Sequence, residues 1–215
     1  MDRFEDGDLI IVRGGPAGAW QNNIYLLIDR ETKEAAFVDA PDEPEKAIAL
    51  AEELGVQPSK ILLTHSHGDH TAGIDALKER FGCLVYASAA EPWLKEGQLD
   101  EPVEHDSVVH VGRLPFRVLS VPGHTPGSTA YVYRLSAFVG DTLFPGGPGR
   151  TQSPELLRQE IASIVTHLYA LPDETVIYPG HGPTTTIGKS KEEYAVFASR
   201  EHPPDLCGDV LWLES

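Results

Sequence analysis

At 215 residues the chain is long enough for one large domain with a sizeable core, and we expect residues 1–215 to form a single domain. Its formal charge of −16 would repel nucleic acid and anionic membranes, so we expect neither as a partner. No apolar run is near the length of a membrane span, and two cysteines are too few for a disulfide framework. The acidic N-terminus does not resemble a signal peptide, which predicts a cytoplasmic protein.

Two apolar segments near the N-terminus, residues 9–12 and 23–28, have the composition of strands. The segment between them, residues 13–22, is rich in glycine and carries Trp20. It can form a flap that brings Trp20 to a substrate, or a hairpin whose Trp20 packs on the core. The sequence leaves both alternatives open.

A third strand is predicted over residues 34–39, followed by a helix over 43–54 that ends before Gly55. Asp39 closes this strand, just as a histidine-rich segment closes the next one. If the two strand ends lie side by side, Asp39 can hydrogen-bond to a metal-binding histidine. It can equally cap the turn that follows, so its role also has two alternatives.

The segment Thr-His-Ser-His-Gly-Asp-His at residues 64–70 brings three imidazoles and a carboxylate close together in the chain. A short apolar strand is predicted before it, at 60–64, and a helix after it, at 71–78. Imidazole and carboxylate groups suit zinc, iron and manganese. A chance cluster of histidines is not expected to lie between a buried strand and a helix. The segment therefore predicts a metal site with four candidate ligands: His65, His67, Asp69 and His70.

The middle of the chain has fewer distinctive features. A strand is expected over residues 83–86 and a short helical piece over 87–94. His105 and His110 lack the spacing of metal ligands, and we expect both on the surface.

The second half of the chain alternates apolar segments with turns rich in glycine and proline. Its predicted elements are strands over residues 116–121, 129–133, 137–140 and 174–178 and a helix over 153–168. Three of the strands run into a turn with one residue of metal-ligand type, namely His124, Asp141 and His181. Any one of these alone would indicate a turn rather than a ligand. With the segment 64–70 they make seven candidate ligands, each at the junction of a strand and a loop.

The pattern His-x-His-x-Asp-His at 65–70 resembles the signature of the metallo-β-lactamase-fold hydrolases, and the resemblance extends from about residue 9 to 181. It implies an α/β fold, a four-layer αββα sandwich with two sheets face to face and helices outside. It also implies a dinuclear centre. In that centre the first ion is bound by His65, His67 and His124, the second by Asp69, His70 and His181, and Asp141 bridges the two.

Within this superfamily the segments 140–144 and 179–183 resemble the glyoxalase II branch, which hydrolyses thioesters of glutathione. The resemblance implies attack by a metal-bridging hydroxide, with Asp69 steering it, on a small-molecule thioester or ester. Zinc is the expected metal, and iron and manganese suit the same ligands. The stretch after His181 is too short for the helical domain of full-length glyoxalase II, so the chain is similar to the short single-domain type. The acyl group, the thiol and the oligomeric state are left open.

Phe144 and Arg150 follow Asp141 in a glycine-rich segment where a substrate would approach. We expect Arg150 to pair with a substrate carboxylate and the glycines to let the backbone come close. The alternative is an ion pair within the protein.

Three other functions compete with thioester hydrolysis. Persulfide dioxygenation on the same fold uses a single iron, which would fall to His65, His124 and Asp141, and residues 149–151 resemble the glutathione-binding loop of that family. The cysteine usual in that loop is absent here, with Pro148 standing near its place. Lactone or ester hydrolysis is the second alternative, and a non-catalytic metal-binding module is the third.

Overall fold

The computed structural model of the protein describes all residues, 1–215. Seven strands follow one another in chain order across the first sheet: Asp2–Asp6 (β1), Leu9–Ala17 (β2), Asn22–Asp29 (β3), Ala35–Val38 (β4), Pro58–Leu62 (β5), Leu84–Ala87 (β6) and Glu101–Pro102 (β7). The remaining strands are Val108–Val111 (β8), Leu114–Ser120 (β9), Thr129–Tyr133 (β10), Ser136–Gly140 (β11), Leu143–Phe144 (β12), Gly147–Pro148 (β13), Val176–Pro179 (β14) and Thr185–Thr186 (β15). The second sheet has the order β15-β14-β11-β10-β9-β8, while β12 and β13 form a separate ribbon.

Five α-helices flank the sheets. They are Pro44–Glu53 (α1), Gly68–Thr71 (α2), Ile74–Phe81 (α3), Pro154–Ser163 (α4) and Ile187–Ala198 (α5). A π-helical turn, Ile164–Leu168, continues α4, and Ser153 caps the start of α4 by accepting a hydrogen bond from the backbone N–H of Leu156. None of these helices combines the length and the apolar character that crossing a membrane requires.

Three apolar cores separate four layers of structure. Alternate residues of β2 point to opposite faces, so Ile10 packs towards α1 and α3 while Ile11 packs towards the second sheet. The opposite face of the second sheet, with Val132, packs on α4 and α5. Because both faces of each sheet are covered near its centre, the central strands β4, β10 and β11 are buried along their whole length. The predicted αββα sandwich is confirmed.

Two pairs of parallel strands bring the loops that carry the candidate ligands to one edge of the sandwich. Val38 at the end of β4 pairs with Leu62 at the end of β5, so Asp39 lies beside the histidine-rich loop. In the second sheet Gly140 of β11 pairs with Pro179 of β14, so the loops that follow these strands also emerge together. Loops at the carboxyl ends of parallel strands are the usual place for a ligand site in an α/β protein.

One expectation about local structure is wrong, and one of two open alternatives is excluded. Ala87 ends β6, and residues 88–94 form turns and irregular structure instead of a helix. Ser88 accepts hydrogen bonds from the backbone N–H groups of Ala90 and Glu91, and Pro92 interrupts the segment. The alternative in which Trp20 packs on the core also fails, since its side chain is 73% exposed at the tip of the β2–β3 hairpin. His105 and His110 lie on the surface as expected.

Candidate metal centre

The structure brings all seven candidate ligands together at the loop edge described above. They come from four loops, after β5, β9, β11 and β14. They form three groups, and within each group the ligand atoms lie within 4.8 Å of one another. The groups are His65, His67 and His124; Asp69, His70 and His181; and His65, His70 and Asp141.

The first cluster consists of three imidazoles. Nδ1 of His67 lies 3.1 Å from Nε2 of His65 and 2.9 Å from Nε2 of His124. His65 is fully buried, and the ring of His67 stacks on Trp93 with the ring centroids 5.0 Å apart. Three ring nitrogens thus converge on one point.

The second cluster combines two imidazoles and a carboxylate. Oδ2 of Asp69 lies 3.3 Å from Nε2 of both His70 and His181. Asn22, which is buried, donates from Nδ2 to the same oxygen at 3.0 Å and holds the carboxylate in place. The sequence analysis did not identify Asn22, because nothing in its local sequence indicates a contact with a residue so far along the chain.

Asp141 lies between the two clusters. Its Oδ1 is 3.4 Å from Nε2 of His70, and its Oδ2 is 3.3 Å from Nε2 of His181 and 3.9 Å from Nε2 of His124. Gly180 makes this approach possible, because a Cβ atom there would collide with Oδ1 of Asp141 and the ring of His70. One carboxylate therefore faces ligand atoms of both groups.

Hydrogen bonds to the outer ring nitrogens fix which nitrogen faces the centre. Nδ1 of His124 donates to the carbonyl oxygen of Arg150, and Nδ1 of His181 donates to that of Trp20, both at 2.9 Å. Nδ1 of His70 bonds to Oδ2 of Asp39 at 2.8 Å. Because carbonyl and carboxylate oxygens only accept, the proton of each neutral ring is on Nδ1 and the lone pair of Nε2 points inward.

The charges of the two clusters differ. Burial lowers the pKa of His65, His67 and His124 and keeps these rings neutral. Burial acts the same way on His70 and His181, but neighbouring carboxylates, Asp141 above all, outweigh it. The pKa of His70 rises well above its usual value and that of His181 rises to about 9.

These features fit divalent cations. Five imidazole nitrogens and two carboxylates converge, and the buried Oδ1 of Asp141 has no hydrogen-bond partner in the protein. Imidazole and carboxylate are the donors of zinc, iron and manganese sites. Cations would neutralise the repulsion among the inward lone pairs and displace the protons held on His70 and His181.

A cavity of about 780 Å³ opens over the clusters. The predicted substrate contacts Trp20, Phe144 and Arg150 line it, together with Asp209 from the C-terminal segment. Nη1 of Arg150 lies 3.0 Å from Oδ2 of Asp209, and both side chains are more than two-thirds exposed. Arg150 therefore forms the ion pair within the protein that the sequence analysis gave as the alternative, with a partner, Asp209, that it did not identify.

A family model of the metallo-beta-lactamase superfamily matches residues 17–181, which is more than half of the chain. The protein therefore belongs to the metallo-β-lactamase superfamily. It is similar to hydroxyacylglutathione hydrolase GloC of Haemophilus influenzae, with 36% identity over 200 residues that cover 82% of this chain and 92% of the relative.

Two solved structures share both the fold and part of the sequence. ETHE1 from Myxococcus xanthus superimposes with a TM-score of 0.77 and 30% identity, covering 88% of this chain and 86% of that one. TTHA1623, solved in a di-iron-bound form, gives a TM-score of 0.68 and 32% identity, covering 81% and 94%. The likeness to a di-iron protein agrees with a centre for divalent metals.

Proposed function

We propose that the protein is a metal-dependent hydrolase of small-molecule thioesters, of the glyoxalase II type. In this proposal His65, His67 and His124 hold one divalent ion, Asp69, His70 and His181 hold a second, and Asp141 is shared. The position of Asp141, within 4 Å of ligand nitrogens from both clusters, is the observation that carries the proposal. The similarity to hydroxyacylglutathione hydrolase GloC supports the thioester chemistry.

Divalent ions bound here would act as Lewis acids, which lower the pKa of water and polarise a carbonyl oxygen. The side chains determine the geometry around them. Asp69 uses Oδ2 for Asn22, His70 and His181, which leaves Oδ1 to accept a hydrogen bond from the attacking water and orient it. A thiol has a pKa of about 8.5, so a thiolate can leave without a dedicated general acid.

The cavity supplies contacts for the rest of the substrate. The rings of Trp20 and Phe144 offer apolar surface near His181, and Arg150 is the cation of the cavity wall. We propose that Arg150 exchanges Asp209 for a carboxylate of the substrate. An exposed ion pair of this kind contributes only about 0–1 kcal/mol, so a substrate can displace it.

Metal analysis followed by a substrate panel tests the proposal. The panel contains S-lactoylglutathione, a neutral N-acetylcysteamine thioester, an aryl ester and a lactone. We expect two ions per chain and the highest kcat/KM on thioesters, lost in His67→Ala but kept in His110→Ala, which removes an exposed histidine. A metal-loaded protein that cleaves no member of the panel would disprove thioester hydrolysis, and preference for the lactone would favour the lactonase alternative.

Persulfide dioxygenation is the second candidate, because the structural likeness to ETHE1 fits it. It would need one iron, held by His65, His124 and Asp141, and would leave His67, Asp69 and His181 without a role. Three measurements separate persulfide dioxygenation from thioester hydrolysis: the number of iron ions per chain, oxygen uptake, and sulfite formation from glutathione persulfide. One iron per chain with sulfite as product would replace thioester hydrolysis as the function.

A further inference from the structure

Glu91 is a buried carboxylate outside the seven candidate ligands. It lies in the turns after β6, and only 8% of the residue is exposed. Its Oε2 accepts hydrogen bonds from the backbone N–H and the hydroxyl of Ser66, at 2.6 and 2.5 Å. Its Oε1 accepts from the hydroxyl of Thr125 at 2.5 Å. Short bonds to an ionised acceptor are among the stronger hydrogen bonds in proteins.

The two partners of Glu91 are neighbours of the first cluster. Ser66 stands between His65 and His67, and Thr125 follows His124. The three imidazoles come from loops on different sheets, after β5 and after β9. Glu91 therefore joins, through one side chain, the two loops that must meet for these rings to converge.

Both oxygens of Glu91 act as acceptors in this network. The hydroxyl of Ser128 accepts from the backbone N–H of Thr125 at 3.0 Å, so its own proton is available for Oγ1 of Thr125 at 2.7 Å. The hydroxyl proton of Thr125 is then left for Glu91. Gly127 allows the contact, since a Cβ atom there would lie 2.7 Å from the backbone nitrogen of Glu91 and 2.8 Å from Oε1.

The chain after Glu91 reinforces the same loop. The backbone N–H of Trp93 donates to the hydroxyl of Ser66 at 3.2 Å, and the ring of Trp93 stacks on His67. Ser66 is thus held from two directions by one short segment, 91–93. Its hydroxyl accepts from Trp93 and donates to Glu91, which fixes its orientation.

We propose that Glu91 is a positioning residue that sets the mutual geometry of His65, His67 and His124 and thereby the affinity of this cluster for a divalent ion. The inference rests on the proposed metal centre and adds to it a residue that hydrogen-bonds to none of the ligand side chains. Glu91 acts on the three-histidine cluster through Ser66 and Thr125. It makes no hydrogen bond to Asp69 or His181, so we expect its removal to affect mainly one of the two sites.

Binding of Co²⁺ to the full-length protein tests this, because the ligand-field absorption of cobalt reports on its donors independently of activity. In Glu91→Ala we expect the affinity of the three-histidine site to fall roughly 10- to 100-fold, the range found when partners of metal ligands are removed. The second site keeps its affinity. Glu91→Gln retains one acceptor oxygen for Ser66 and should lose less. Glu96→Gln, an exposed neighbour with the same charge change, should bind as the wild type does.

Substitutions at Thr125 provide a second test, which does not depend on whether Glu91→Ala folds. Thr125→Val removes the hydroxyl at nearly constant volume and should weaken the same site, whereas Thr125→Ser keeps the hydroxyl and should restore it. Unfolding temperatures of the metal-free variants identify any general loss of stability, which would not be selective for one site.

Equal cobalt affinities and spectra in wild type, Glu91→Gln and Thr125→Val would overturn the inference. A wild-type protein that binds no cobalt would overturn it too, together with the metal centre. A wild type that binds two ions without hydrolysing thioesters would refute only the proposed reaction, and the cobalt titrations would still decide the role of Glu91.

Discussion

Oδ2 of Asp39 lies 2.8 Å from Nδ1 of His70, and both side chains are almost completely buried. Oδ1 of the same carboxylate accepts from the backbone N–H of Thr64 at 2.7 Å. Of the two alternatives considered for Asp39, the structure shows the hydrogen bond to a candidate ligand. Its other oxygen accepts from Thr64, at the start of the histidine-rich loop, and not from the turn that follows Asp39. One residue at the end of β4 orients a ring of the second cluster and the loop that carries the first.

Replacing Asp39 with asparagine tests this double contact. Asparagine fits the volume and tolerates the left-handed backbone at this position, where φ is 61°. Its amide group, however, must direct a donor at the N–H of Thr64 or at Nδ1–H of His70. We expect zinc affinity to fall roughly 10- to 100-fold, measured by competition with a chelator. Asp205→Asn makes the same charge change at an exposed site and should leave the affinity unchanged; equal affinities in the two variants would contradict the role of Asp39.

The pair formed by Arg150 and Asp209 gives a prediction about substrate charge. Arg150→Ala should raise KM several-fold for thioesters that carry a carboxylate, with little change in kcat. Asp209→Asn should lower KM for the same substrates, because Arg150 loses its competitor. A neutral N-acetylcysteamine thioester should be insensitive to both changes.

Arg158→Ala is the matched control for this charge change, since Arg158 is an exposed arginine paired with Glu155 on the outer face of α4. Steady-state kinetics on the charged and neutral thioesters measure the difference. Identical KM values for wild type and Arg150→Ala on the charged substrate would mean that Arg150 does not contact the substrate.

Trp20 allows the role of the ring to be separated from that of the backbone. Its carbonyl oxygen orients His181, whereas its exposed ring faces the cavity. Trp20→Ala should therefore raise KM while metal content and unfolding temperature stay at wild-type values. Leu135→Ala, an exposed apolar residue on the β10–β11 turn, serves as the control. A loss of metal in Trp20→Ala would show that the hairpin position depends on the ring.

The ligand residues were predictable because their signals are local. His65, Asp141 and His181 each follow an apolar strand, and a residue of ligand type at the end of a strand can be seen without the fold. The sandwich itself was reached through the resemblance of the segment 65–70 to a known family. The match of the family model to residues 17–181 agrees with that resemblance.

The residues that support the ligands were not predictable in the same way. Asn22, Glu91 and Asp209 act on residues 25 or more positions away, so only the folded chain indicates their partners. The helix Ile187–Ala198 was also missed. Few of its residues are buried, and its start depends on Thr186, which accepts from the N–H of Lys189.

Glu160 of α4 has a buried carboxyl group whose two oxygens have no hydrogen-bond partner. Burial raises its pKa to about 9, from an ordinary value of 4.5. The group therefore stays protonated in the folded protein at neutral pH, whereas in the unfolded chain it ionises above about pH 4.5. Glu160→Gln keeps the shape of the neutral acid and removes the titration.

The sign of the effect on stability follows from proton counts. Between pH 4.5 and 9 the unfolded chain holds fewer protons at residue 160 than the folded protein does, so this group makes stability fall as pH rises. The slope is at most roughly 1.4 kcal/mol per pH unit.

Urea unfolding between pH 5.5 and 8.5, at fixed metal content, should show Glu160→Gln gaining stability relative to the wild type as pH increases. The exposed Glu192→Gln should not gain. Parallel stability curves for wild type and Glu160→Gln would mean that Glu160 is ionised in the folded protein, so that a cation or an ordered water must lie beside it under α4.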